Sequence, residues 1–152
     1  MDRERAALEL TLAGRMALAA LLGFLVGLER ESRGKSAGER TFAIVAIAAA
    51  GFAGVAITMF PATTGQAVAG VASGIGFLGV GIIWRAEEGQ ARGLTTAASI
   101  FGVAAIGVVA GLGLYLTAVL ATVTVLVLLE FDRIPVLTNL HRRFSRGEDD
   151  VS

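Results

Sequence analysis

The 152-residue chain has no cysteine, one histidine, one tryptophan, one tyrosine and two prolines, and its formal net charge is zero. Without cysteine there is no disulfide, thiolate metal site or cysteine nucleophile. The single histidine, His141, stands alone near the carboxyl end, so a solvated or interfacial imidazole is expected there and no metal site. A balanced charge offers no global field to a polyanion, which removes nucleic acid from the expected partners. No nucleophile, base and orienting residue occur together, so an enzyme is not expected, and neither is a cofactor.

What the chain has in excess is apolar surface. It is 55% hydrophobic with a mean hydropathy of +0.72 and 20 glycines, against about 45–50% apolar and about 7% glycine in soluble domains. One string, Ser73-Gly74-Ile75-Gly76-Phe77-Leu78-Gly79, matches a dinucleotide-binding fingerprint, but that signature needs a preceding strand and an acidic residue about 20 positions on. Here it lies inside the uncharged run from Gln66 to Trp84, and Leu94 to Ser99 hold no carboxylate. Glycine spaced this way in an apolar 20-mer instead lets membrane helices approach closely.

A hydrocarbon core of about 30 Å asks for about 20 apolar residues in a helix. Residues 10–28, interrupted only by Arg15, form the first candidate span; 41–60, ended by Pro61, the second; 66–84 the third. Residues 94–129 carry no charge over 36 positions, about 54 Å of helix, too long for one span. Gly111-Leu112-Gly113 breaks this run into a hairpin of 94–110 and 113–129. The expectation is an all-α, polytopic transmembrane bundle of five helices.

The basic residues predict its orientation, because cytoplasmic loops carry the excess of Lys and Arg. Ten of the thirteen lie on alternate segments: Arg30, Arg33, Lys35 and Arg40; Arg85 and Arg92; Arg133, Arg142, Arg143 and Arg146. That places the amino terminus outside and the carboxyl terminus in the cytoplasm, with residues 1–132 as the membrane domain. The first span's positive flank follows it, so it is expected to be retained and not cleaved as a signal peptide. Residues 133–152 form a basic juxtamembrane segment with an acidic tail; Leu137, Leu140 and Phe144 at helical spacing suit a short helix on an anionic leaflet, or a frayed end.

Membrane helices associate where small residues admit close contact. Gly23 and Gly27, Gly70 and Gly74, and Gly107 and Gly111 each form a GxxxG, and Ser73, Gly76, Gly79 and Gly81 add small positions to the third span. The third helix is therefore expected at the centre of the bundle. Its glycines suit packing better than a hinge or a backbone-lined ion path.

Polar chemistry gathers at the inner interface. The first span ends Gly27-Leu28-Glu29-Arg30, the second opens with Ala37-Gly38-Glu39-Arg40-Thr41, the third holds Ser73 to Gly81, and the fourth opens with Arg92-Gly93-Leu94-Thr95-Thr96-Ala97-Ala98. These four motifs, in this order over roughly Arg15 to Tyr115, resemble the membrane domain of the MgtC/SapB family. The resemblance implies a multi-pass protein of the bacterial inner membrane linked to growth at low magnesium and, in intracellular pathogens, to survival in the host. It implies a regulator of other membrane proteins, with a Mg²⁺ transporter or channel as the alternative. It covers the membrane domain only, so the soluble carboxyl-terminal domain of longer members is not expected. Phe42 stands where the family often has a polar residue, and Gln66 and Gly70 where an Arg and a Gln are common.

Among these residues, Glu29, Arg30, Arg40, Thr41, Arg92, Thr95 and Thr96 are the candidate functional cluster. Glu29 and Arg40 bound one loop and are expected to pair at the edge of the low-dielectric region, in either a structural or a functional role. Thr95, Thr96 and Ser99 are expected to cap the fourth helix. Arg15, 14 residues before Glu29 and so about 21 Å away along a helix, is expected to snorkel to the outer headgroups, or to mark a polar cavity if it faces inward. The five spans hold no Asp or Glu in their interiors, which leaves a Mg²⁺ path without its usual ligands. The expected partners are the lipid bilayer and other inner-membrane proteins, with a homodimer open through the GxxxG faces and Mg²⁺ unsupported.

Overall fold

In hydrocarbon every backbone N–H and C=O must be satisfied within its own segment, so apolar runs of this length become helices. The computed structural model describes residues 2–35, 37–84 and 93–130. They form α1 (Asp2–Ser32), α2 (Glu39–Met59), a 3₁₀ turn (Pro61–Thr63), α3 (Thr64–Trp84), α4 (Leu94–Gly111) and α5 (Tyr115–Glu130), with no strand among the described residues. The first four helices are long and apolar enough to cross a bilayer, and α5 is shorter. At 16 residues α5 extends about 24 Å. By contrast α1, at 31 residues, extends about 46 Å and begins well before the apolar run that predicts it.

The breaks have local causes. Phe60 closes α2 through its N–H on the Ala56 carbonyl at 2.8 Å, and Pro61, which has no N–H to give, starts the 3₁₀ turn that redirects the chain. Between α4 and α5, Gly113 takes φ +87°, and the Gly113 and Leu114 amides donate back to Ala110 and Val109, each at 3.0 Å. This glycine-terminated cap ends a helix and satisfies its last carbonyls.

Close packing then selects the centre. A Cβ on Gly23 would stand 2.6 Å from the Phe42 carbonyl oxygen, and one on Gly111 would stand 2.9 Å from the Ala50 Cα. Gly27 and Gly107 meet the backbones of Glu39 and Ala46 just as closely. The glycine pairs of α1 and α4 therefore both seat on α2, and α1, α2 and α4 form the core. Buried between them are Ala19, Val26, Phe42, Ala46, Ile100, Val103 and Ile106. Phe42, apolar where the family pattern is often polar, is fully enclosed and fills the crossing of α1 and α2.

The expectation that α3 occupies the centre is corrected. None of its spanning window is buried. It leans on α4 and α2 and touches neither α1 nor α5, whereas α4 contacts all four other helices. A Cβ at Gly70, Gly74, Gly76 or Gly81 would meet nothing within 4 Å, and one at Gly79 only the Ala97 Cβ at 3.7 Å. Glycine spacing marks a helix that can be approached closely, and within this chain α3 is not so approached.

Candidate functional site

Two polar constructions stand at opposite ends of the core. At the first, the last turn of α1 carries Glu29, Arg30 and Arg33. The Arg30 Nε and Nη2 donate to the two Glu29 carboxylate oxygens at 2.5 and 2.8 Å, a bidentate, charge-assisted pair. Both side chains are enclosed, at 3% and 9% exposure. Arg33, one turn on, pairs with the same carboxylate and reaches Glu130 at the end of α5, at 3.0 Å. One buried carboxylate thus holds two guanidinium groups, and the second ties α1 to α5.

The loop to α2 is fixed separately. Glu31 accepts the Glu39 backbone N–H at 3.4 Å, which places a carboxylate at the amide-rich start of α2, where the helix dipole favours negative charge. Glu39 has Arg40 at 4.0 Å, and its Oε2 is buried without a hydrogen-bond partner. Among the described residues no group of three or more His, Cys, Asp or Glu is placed to hold a metal ion.

Several expectations change here. Glu29 pairs with Arg30 and Arg33 in place of Arg40, because Arg33 is four residues on along the same helix and needs no loop to reach it. Arg40 points outward at 90% exposure, with Thr41 exposed beside it. The threonines do not cap α4: its N-cap is Gly93 at φ +102° with no side-chain cap bond. Ser99 instead donates to the Thr95 carbonyl at 2.6 Å, while Thr96 is buried and Thr95 exposed. Arg92, Arg85 and the segment 133–152 lie outside the described residues.

The second construction surrounds Arg15. Its Nη1 donates to the Gly111 carbonyl at 2.9 Å and its Nε to the Tyr115 hydroxyl at 3.2 Å. A helix leaves its last four carbonyls unpaired and carries partial negative charge there, so a guanidinium at the end of α4 answers both. Arg15 thus turns toward the α4–α5 turn. Gly113 makes room for it: a Cβ there would stand 3.0 Å from Arg15 Nη2. Sequence reasoning left out Arg33, Glu130, Glu31 and Tyr115; only the Glu29–Arg33 spacing was readable as a helical ion pair.

The family model described as "MgtC family" matches residues 16–135. Protein MgtC of Salmonella typhimurium is 47% identical over 108 residues, 71% of this chain and 46% of that protein. Protein MgtC of Brucella abortus is 43% identical over 115 residues, 75% of this chain and 48% of the relative. Protein SrpB of Synechococcus elongatus is 38% identical over 152 residues, covering 90% of this chain and 84% of its own length. The chain spans about half the length of these MgtC relatives. No solved structure matches. With its four bilayer-length helices and a family match over most of its length, the chain is a membrane protein and belongs to the MgtC family.

Proposed function

We propose that the protein is a regulatory or scaffold protein of the bacterial inner membrane, acting through contacts with other membrane proteins during growth at low magnesium, and that it is not an enzyme. In this reading the Glu29 end faces the cytoplasm and the amino terminus lies outside, as the positive-inside rule asks. The observation that carries it is the commitment of two carboxylates, Glu29 and Glu130, to arginine. Mg²⁺ keeps several waters and is held through one or two carboxylates. Glu29 is shared by two arginines and Glu130 is held by one of them, so both are neutralised before any cation arrives. The core between α1, α2 and α4 is closed by backbone contact at Gly23, Gly27, Gly107 and Gly111, which leaves no width for a hydrated ion there.

The contact surface falls to what that end leaves open, Arg40 and Thr41 at the start of α2. An exposed charge at an interface sets partner choice at little cost to the fold. The test is complementation in a bacterium deleted for its own family member and grown at low magnesium. Wild-type protein restores growth, and Arg40→Glu, inserted at the same level, does not. Full restoration by Arg40→Glu would contradict the assignment of this surface.

A further inference from the structure

Arg15 and Arg33 are built into the bundle in the same way. Arg15 gives Nη1 to the Gly111 carbonyl of α4 at 2.9 Å and Nε to the Tyr115 hydroxyl at 3.2 Å. Arg33 pairs with Glu29, one turn before it, and with Glu130 at 3.0 Å. Tyr115 and Glu130 are the first and last residues of α5. Each arginine therefore has one partner on the body formed by α1, α2 and α4 and another on α5, and α1 and α5 run side by side in the same sense, fastened at both ends.

Between those ends little else holds α5. It meets only α4 and α1 among the described helices, and it buries Ala118, Thr122 and Leu129 where α4 buries eleven residues. The Thr122 hydroxyl donates to the Ala118 carbonyl of its own helix at 2.8 Å, so it adds no link across. A Cβ at Gly102 would stand 3.6 Å from Val125 Cγ2, an ordinary contact, whereas one at Gly107 or Gly111 would overlap α2. Membrane helices are held by packing and polar contacts without a hydrophobic drive, so on α5 the polar ends weigh most.

We infer that α5 is a strap: it undocks as one helix from the body of α1, α2 and α4, and the Arg33–Glu130 and Arg15–Tyr115 contacts are its two clasps. Release strands neither arginine. Arg33 keeps Glu29 and Arg15 keeps the Gly111 carbonyl, so the penalty for an uncompensated buried charge does not arise. The groups that leave with α5 already face outward, the Glu130 side chain at 41% exposure and Tyr115 at 45%, where water or headgroups take them up. The Arg30–Glu29 pair, at 3% and 9% exposure, has no such way out and stays with the body. Release uncovers the strip of α4 at Gly102.

The absence of cysteine makes every introduced thiol unique. Leu129→Cys and Ala118→Cys replace residues 8% and 0% exposed, about 16 Å apart along α5. Each variant is placed in lipid nanodiscs and its rate of modification by a water-soluble maleimide is measured, since a buried thiol reacts in proportion to the fraction open. Glu130→Gln should raise the rate at both thiols by about threefold or more, the usual effect of one polar contact between membrane helices. Tyr115→Phe should do likewise, and the two factors should multiply in the double variant. Ala37→Cys, buried between α1 and α2, should keep its rate. A rise at Leu129→Cys alone would mean a fraying last turn, a rise at Ala37→Cys would mean that the whole bundle loosens, and unchanged rates would mean that packing alone holds α5; each would overturn the strap.

Discussion

Alanine at Gly107 and alanine at Gly76 are the same chemical change in two membrane helices, and the structure assigns them different outcomes. Glycine in a helix interior is less favourable than alanine by about 1 kcal/mol, so both substitutions gain that term. At Gly107 the new methyl overlaps the Ala46 carbonyl and stands 3.0 Å from the Ala49 Cβ, where ordinary contact begins near 3.4 Å. The atoms that must yield are backbone, so α4 has to move off α2; overpacking of this kind costs about 1–3 kcal/mol. At Gly76 the methyl meets nothing within 4 Å. The propensity term cancels in the comparison, and Gly107→Ala should be less stable than Gly76→Ala by about 1–3 kcal/mol. Unfolding in mixed micelles, followed by helical circular dichroism over an SDS titration, measures the difference. Equal midpoints would refute the placement of α4 against α2, and a larger loss at Gly76 would restore α3 to the centre.

Other consequences follow from the two polar ends. Glu29→Gln strands the Arg30 guanidinium at 3% exposure, and breaking a buried pair from one side costs about 3–5 kcal/mol; the same titration should show it as the least stable of the charge variants. Arg40→Ala, at a 90% exposed side chain, should change stability by less than about 0.5 kcal/mol. Arg15→Met removes the cap of α4 and its bond to Tyr115; a charge at a helix end contributes about 0.3–2 kcal/mol and membrane polar contacts up to about 1.7 kcal/mol. Arg15→Lys should recover only part of that loss, because a single ammonium lacks the guanidinium's planar fork.

The hydrophobic runs and their breaks were legible in the sequence because length, charge and glycine–proline punctuation act locally. Pro61 and Gly113 end helices wherever those helices pack. The extent of α1 was not, since residues before Leu10 are charged and only the continuing backbone helix carries them. Which helix sits at the centre was not legible either: Gly70 and Gly74 have the same spacing as Gly107 and Gly111, and only the position of α2 separates a spent face from an open one. The sequence reading set Glu29 beside Arg30 but paired it across the loop with Arg40, and the structure pairs it with Arg30 and Arg33. Arg40 is near in sequence across a loop, but Arg33 lies on the same helical face one turn away. Arg15 found its partners 96 and 100 residues away, a distance at which sequence position says nothing of contact.

The most direct test of the proposed role is Mg²⁺ uptake into proteoliposomes holding the purified protein at known orientation, beside empty vesicles. With Glu29 and Glu130 already held by arginine and the core closed at its glycines, uptake should equal that of the empty vesicles. Uptake above them that Glu29→Ala alters would make the protein a cation transporter and contradict the regulatory reading.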